Sequence, residues 1–202
     1  MKQLLLICAV VALVGCGESK EEKAAKSKAA AEAKAAAEAK AAAEAKLIKD
    51  PIVEAAIRSR WSLNKPTGEL TEADLEKVTE LYFYGNKLTE VPKELEKLTK
   101  LEVLILNDNQ LTDVKRLEKL TQLTGLGLDG NQLTESPTGL EKLTKLTSLS
   151  LSSNKLTDVK GLEKLTKLEV LMLQDNLDLT KAQIAELQKA LPKCKILSNP
   201  TK

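Results

Sequence analysis

Few residues of this chain of 202 amino acids could do chemistry. Histidine is absent from the whole sequence. Catalytic sets that combine serine or cysteine with histidine are therefore excluded, as are the usual zinc sites. No other catalytic constellation is recognisable. The sequence thus predicts that the protein is not an enzyme and that it uses no cofactor or metal ion.

Three cysteines, Cys8, Cys16 and Cys194, supply the thiols of the chain. Two of them lie near the N-terminus and one near the C-terminus, which is not the spacing of a disulfide framework. Cys194 is predicted to be a small buried side chain in a C-terminal cap.

The N-terminus has the features of a secretory signal. A basic start is followed by an uncharged apolar run from Leu4 to Val14, which is too short to span a bilayer. The run ends in Leu13-Val14-Gly15-Cys16, and this tetrapeptide resembles the lipobox of bacterial lipoproteins. The resemblance implies cleavage after residue 15 and attachment of lipid to Cys16. An uncleaved apolar anchor and an ordinary signal peptide are the alternatives.

The residue after the lipobox cysteine bears on the destination. In enterobacterial lipoproteins an aspartate there retains the protein in the inner membrane, whereas this sequence has Gly17. The resemblance therefore implies a lipid anchor in the outer membrane of a bacterial cell envelope.

An alanine-rich segment runs from Glu21 to Lys46 and is almost wholly Ala, Glu and Lys. Alanine has the highest helix propensity, and no Gly or Pro interrupts the segment, so a long helix is predicted. The repeat A-A-A-E-A-K places Glu32, Glu38 and Glu44 on different faces of that helix. No apolar stripe results, and the segment is interpreted as a semi-rigid stalk roughly 39 Å long.

The stretch from Leu101 to Leu111 reads L-E-V-L-I-L-N-D-N-Q-L and fits the template L-x-x-L-x-L-x-x-N-x-L. The same frame recurs around Asn86, Asn109, Asn131, Asn154 and Asn176. Each copy is predicted to contribute a short parallel strand and an irregular or 3₁₀ return segment, and stacking of copies buries the leucines. The asparagine amides are expected to bond the turn backbone and to form a ladder. The predicted fold is an α/β solenoid whose strands line a concave face.

Helical caps are expected at both ends of this solenoid. Asp50-Pro51 and Thr71 with Asp74 are predicted to begin two short helices, and Trp61 is assigned to the core. Thr180 is predicted to begin a last helix. The predicted organisation is a signal peptide at 1–15, the lipidated cysteine and stalk at 16–46, an N-terminal cap at 47–77, five repeats at 78–179 and a C-terminal cap at 180–202.

The repeated string K-L-T-x-L-x-x-L-x-L-x-x-N-x-L-T-D-V resembles the repeats of bacterial leucine-rich repeat proteins, including internalins. The resemblance extends from about Val78 to Leu179. It implies protein–protein recognition, usually through the concave face of the strands.

Alternation along each strand predicts which side chains face out from the concave sheet. The candidate partner-binding residues chosen on this basis are Tyr82, Tyr84, Val103, Ile105, Asn107, Asp129, Ser150, Ser152, Met172 and Gln174. Both tyrosines of the protein belong to this set, and tyrosine is enriched at binding hot spots. The alternative is that strand-forming residues simply fill a strand. Calcium is disfavoured because each strand offers a single acid.

The sequence as a whole predicts a membrane-anchored lipoprotein whose leucine-rich repeats bind an unknown protein partner. A formal charge of +2 and 2% aromatic residues give no sign of a nucleic-acid surface. The protein is expected to be a monomer that touches the membrane through the lipid on Cys16. The alternative is a structural spacer of the cell envelope with no selective ligand.

Overall fold

The structure, a computed structural model, describes residues 27–36, 46–59, 62–136 and 138–199. The chain divides into two units, Met1–Ala45 and Lys46–Lys202. In the first unit, residues 27–36 form a helix, α1, with all its side chains exposed. The predicted signal peptide, the lipidation site at Cys16 and the core residue Trp61 lie outside the described residues. None of the described helices combines the length and the hydropathy that crossing a bilayer requires.

An open parallel sheet runs through the second unit. Within the described residues it has six strands in sequence order. The strands are β1 (Glu80–Tyr82), β2 (Val103–Ile105), β3 (Gly125–Gly127), β4 (Ser148–Ser150), β5 (Val170–Met172) and β6 (Lys195–Leu197). This sheet confirms the predicted leucine-rich repeat solenoid.

The template leucines form the core of the solenoid. In register across the sheet, the central strand residues are Leu81, Leu104, Leu126, Leu149, Leu171 and Ile196. The five leucines of this row are at most 3% exposed. Burying one such side chain contributes about 1.5–3 kcal/mol. Because each strand has neighbours on its flanks, stacking achieves a burial that one repeat could not achieve alone.

The return segments are 3₁₀ helices. They span Lys93–Lys97, Lys115–Lys119, Leu140–Lys142 and Leu162–Lys164. Each one contributes a buried leucine to the core, namely Leu95, Leu117, Leu140 and Leu162. So few residues per return leave room only for this tight helix type.

Asparagine side chains join successive turns. The Asn131 Nδ2 donates to the carbonyls of Leu106 and Leu128, both at 3.0 Å, and its Oδ1 accepts from the Leu111 N–H at 3.0 Å. Three other asparagines repeat this pattern in their own repeats: Asn109, Asn154 and Asn176. Asn86 was expected in the same ladder. It is exposed instead and donates to the Tyr84 carbonyl at 3.2 Å, because no repeat precedes it.

The residue before each asparagine is left-handed. These residues are Gly85, Asp108, Gly130, Ser153 and Asp175, with φ between 53° and 67°. Glycine reaches this conformation without strain, and a short polar side chain such as that of aspartate tolerates it. The left-handed residue lies three positions after the last residue of each strand from β1 to β5 and directly precedes the asparagine of the turn.

Two helices precede β1. The first, α2 (Pro51–Arg58), begins where the Asp50 carboxylate accepts from the Ile52 and Val53 N–H groups at 2.8 and 3.2 Å. Its buried residues, Val53 and Ile57, join the core. Proline fits the first turn because an N–H there has no intrahelical acceptor, so the donor that proline lacks is not missed.

The second helix of the N-terminal cap is a single turn, α3 (Glu72–Leu75), closed by a capping box of Thr71 and Asp74. After β5, α4 (Lys181–Ala190) begins with a similar box of Thr180 and Gln183. Cys194 follows α4 and is 4% exposed, and its burial raises the pKa of its thiol.

Candidate protein-binding surface

The outward-facing side chains form three rows across the concave face of the sheet. Strand register sets the first row as Glu80, Val103, Gly125, Ser148, Val170 and Lys195, and the second as Tyr82, Ile105, Gly127, Ser150, Met172 and Leu197. The third row follows two residues later and consists of Tyr84, Asn107, Asp129, Ser152, Gln174 and Asn199. The ten candidate residues of the sequence analysis all lie in these rows.

The N-terminal end of the face is its most exposed apolar part. Tyr82 is 43% exposed and Tyr84 is 69% exposed, while Val103 and Ile105 beside them are half-buried. We call these four residues the tyrosine patch. Among the described residues, Leu177 is the other large apolar side chain with comparable exposure, at 61%. Of the three exposed large apolar side chains among the described residues, Tyr82 and Tyr84 therefore lie together on the concave face.

Gly127 shapes the edge of the tyrosine patch. A Cβ atom at this position would lie 3.0 Å from Ile105 Cδ1 and 2.7 Å from Asn107 Oδ1. The glycine therefore leaves room for two side chains from the preceding repeat. The centre of the concave face is shallow as a result.

A groove of about 310 Å³ adjoins the tyrosine patch. It is lined by Pro51, Ile52, Ala55, Ala56, Tyr82, Phe83 and Asn86. One wall is thus α2, and the other is the first repeat. We call this space the N-terminal groove. The sequence pattern did not indicate it, because its wall depends on how α2 packs beside β1.

Carboxylates flank both tyrosines. The Tyr82 hydroxyl donates to Glu80 Oε2 at 2.6 Å, and the Asp108 carboxylate lies close to the Tyr84 hydroxyl. The neighbouring negative charges raise the pKa of both tyrosines. Glu80 and Asp108 are exposed, and neither takes part in an ion pair of the described side chains. The N-terminal end of the face therefore carries uncompensated negative charge.

Asp129 is the centre of a hydrogen-bond network in the middle of the face. It accepts from the Ser152 N–H at 2.8 Å, from Asn107 Nδ2 at 3.2 Å and from the Ser150 hydroxyl. Ser150 is only 8% exposed. Its hydroxyl is turned toward Asp129 and largely shielded from solvent, and its role as a partner contact stays a prediction.

The C-terminal end of the face is extended by β6. Met172 and Val170 are half-buried, and Leu197 lies in register beside Met172. Asn199 exchanges two hydrogen bonds with Asp175, at 2.6 and 2.9 Å. Continuing the alternation past Ile196 would have identified these two residues of β6 from the sequence.

The side chains of this surface are suited to non-covalent contacts. In the part of the chain that the structure describes, no group of three or more His, Cys, Asp or Glu side chains is arranged to hold a metal ion. The surface offers aromatic and aliphatic contacts, hydroxyl and amide hydrogen bonds, and negative charge at one end.

Comparison with known proteins places the repeats in context. The family model for leucine-rich repeats (2 copies) matches residues 76–119, 99–144, 121–163 and 144–189, which together span more than half of the chain. No curated protein sequence matches the chain.

Two solved structures are similar. An internalin from Listeria monocytogenes is 30% identical with a TM-score of 0.65, over 77% of this chain and 46% of that one. A leucine-rich repeat protein from Leptospira interrogans is 32% identical with a TM-score of 0.56, over 63% of this chain and 33% of that one. This chain therefore spans less than half the length of either structure.

Proposed function

The chain belongs to the leucine-rich repeat family, and we propose that it is a membrane-anchored lipoprotein whose repeats recognise another protein through the concave face. Leucine-rich repeat folds are generally scaffolds for protein interaction, since a solenoid offers an extended concave surface. A structural spacer of the cell envelope would need no selective surface, and it is the function that a negative binding result would favour.

The exposure of the tyrosine patch is the observation that supports recognition. Tyr82 and Tyr84 are 43% and 69% exposed in a domain whose central strand leucines are at most 3% exposed. Tyrosine offers a large contact area and a polar hydroxyl, and it is common among residues that dominate binding energy. A partner that covers both rings would remove this apolar area from water, which favours association.

A pull-down from cross-linked cell envelopes tests recognition. The bait is the full-length protein, compared with the Tyr82→Ala/Tyr84→Ala variant and with Leu177→Ala. The matched control removes an apolar side chain of similar exposure outside the three concave rows. We expect one enriched partner with the wild type and the control, and its loss with the double variant. Retention by the double variant would contradict concave recognition, and an absence of any enriched partner would favour the spacer.

The membrane anchor is proposed on the resemblance of Leu13-Val14-Gly15-Cys16 to a lipobox. Two or three acyl chains on Cys16 would hold the protein durably, since each buried methylene contributes about 0.8 kcal/mol. Labelling with radioactive palmitate should mark the wild type and Cys8→Ala but not Cys16→Ala. A label that persists in Cys16→Ala would rule out lipidation at that residue.

The proposed location is the outer membrane of a bacterial envelope, because Gly17 stands where an inner-membrane retention signal would have aspartate. Fractionation should find the wild type in outer-membrane material and Gly17→Asp in the inner membrane. An identical distribution of the two proteins would remove the support for this location.

A further inference from the structure

We infer that the partner binds the N-terminal end of the concave face through a segment that combines a large apolar side chain with a neighbouring lysine or arginine. The apolar side chain occupies the N-terminal groove, and the basic side chain lies over the tyrosine patch. This inference rests on the proposed function, since it names the chemistry of the segment that the concave face binds.

The N-terminal groove provides the apolar half of the site. Its volume of about 310 Å³ is at the lower end of the range for small-molecule pockets and can take one large side chain. Ile52, Ala55 and Ala56 of α2 line it with aliphatic groups, and Tyr82 belongs both to the groove and to the tyrosine patch. An apolar residue placed there is therefore adjacent to the exposed rings.

The exposed tyrosine rings favour a cation as the neighbouring group. Lysine and arginine are attracted to the face of an aromatic ring within about 6 Å of its centre. Tyr84 is 69% exposed, so a side chain of the partner can reach its ring. Arginine can also stack on the ring through its planar guanidinium group.

Charge complementarity selects the same partner. Glu80 Oε2 lies 2.6 Å from the Tyr82 hydroxyl, and the Asp108 carboxylate is close to the Tyr84 hydroxyl, so a cation over the rings lies near two carboxylates. Both carboxylates are exposed and neither belongs to an ion pair of the described side chains. An acidic segment would be repelled by them.

The remainder of the concave face is less suited to a cation. Asp129 in the centre already accepts hydrogen bonds from Asn107, Ser150 and Ser152. Lys195 lies at the opposite edge of the sheet, in register with Val170. At that end the Asp175 carboxylate already accepts a hydrogen bond from Asn199 at 2.9 Å, and the Lys195 ammonium would repel a second cation.

Selection of random peptides displayed on phage, with the full-length protein in detergent as target, tests this inference. We expect the peptides that bind the wild type to be enriched in lysine or arginine within a few residues of a large apolar residue. A synthetic copy of the most enriched peptide is then measured against three variants. Tyr82→Ala/Tyr84→Ala should abolish its binding, and raising the salt concentration should weaken it because exposed charges are screened.

The charge requirement is measured with a matched pair of variants. Glu80→Gln/Asp108→Asn should weaken peptide binding about ten-fold, as expected for two partly exposed ion pairs. Asparagine tolerates the left-handed backbone at position 108, so this variant keeps the turn. Glu163→Gln/Glu169→Gln removes the same number of exposed carboxylates outside the three rows and should leave binding unchanged.

Two outcomes would overturn the inference. In the first, peptides bind the wild type and not Tyr82→Ala/Tyr84→Ala, but they are not enriched in lysine or arginine. The same conclusion follows if they bind Glu80→Gln/Asp108→Asn as tightly as Glu163→Gln/Glu169→Gln. In that case the concave face still binds a partner, and only the chemistry of the segment is wrong. The other is the absence of any peptide that depends on the two tyrosines. The envelope pull-down then decides separately whether the proposed function itself fails.

Discussion

At the scale of single residues, asparagine and the residue before it set the turn of every repeat. The carbonyls that Asn131 bonds also accept from neighbouring members of the ladder, because Leu106 O receives Asn109 Nδ2 and Leu128 O receives Asn154 Nδ2. The Leu111 N–H, in contrast, is buried and depends on Asn131 Oδ1. Each of these carbonyls thus accepts from two asparagines, whereas the Leu111 N–H has Asn131 as its partner.

Asn131→Ala should therefore lower the free energy of unfolding by about 1–3 kcal/mol, since it leaves one buried N–H without a partner. Asn86→Ala is the matched control. Its side chain is exposed and belongs to the first repeat, so the change should stay within about 0.5 kcal/mol. Urea denaturation of both variants measures the difference. Equal losses at the two positions would show that the ladder geometry does not determine the effect.

The sequence template was sufficient to predict the ladder because the asparagines recur at spacings of 22 or 23 residues. It could not distinguish Asn86 from the others, because the bonding partners of an asparagine come from the preceding repeat. The left-handed residues could have been recognised as well. Glycine or a short polar residue stands before every template asparagine, as in Gly85-Asn86 and Asp108-Asn109.

At the scale of elements, the short helix α3 depends on one carboxylate. Asp74 accepts from Lys65 Nζ at 2.6 Å, from the Thr71 hydroxyl at 2.8 Å and from the Thr71 N–H at 3.0 Å. The Lys65 ammonium, followed by the Thr71 bonds, holds the pKa of Asp74 well below its usual range. In the unfolded chain these partners are lost, and the pKa returns to about 4.

A pKa that is lowered by folding gives stability that is present above the unfolded value and is lost as the pH falls toward the folded value. Asp74→Asn should therefore destabilise the protein at neutral pH. The difference in free energy of unfolding between this variant and the wild type should become smaller below about pH 4. Glu76→Gln changes an exposed carboxylate directly after α3. The stability of this variant should depend on pH in the same way as that of the wild type. The test is the midpoint of urea denaturation, measured for all three proteins from neutral pH to below about pH 4. A stability difference between Asp74→Asn and the wild type that does not change with pH would refute the role of the carboxylate.

The elements differ in how well the sequence predicted them. The strands were predictable from the alternating leucines, and the first residues of α2 and α4 were predictable from the N-caps Asp50 and Thr180. The N-terminal groove was not predictable, because α2 shows only which of its residues are apolar and not which neighbour it packs against. The low exposure of Ser150 was not predictable for a related reason. Alternation gives the direction of a side chain, whereas a neighbouring acceptor such as Asp129 decides whether it is accessible.

At the scale of the whole molecule, the repeats are alike inside and different outside. Leucines form most of one continuous core, whereas the residues of the concave rows differ from one repeat to the next. Apolar rings and negative charge lie at the first two repeats, a satisfied polar network lies in the middle, and Met172 with Leu197 lies at the far end. A protein partner could distinguish the two ends of the concave face by these differences.

The central claim is that the tyrosine patch contacts a protein partner, and photo-crosslinking in living cells tests it most directly. A photoreactive phenylalanine derivative replaces Tyr84 in one strain and Leu177 in another, so that two exposed apolar positions are compared. We predict a discrete crosslinked adduct of one size from position 84 and none from position 177. The same adducts from both positions, or none from position 84, would contradict the account.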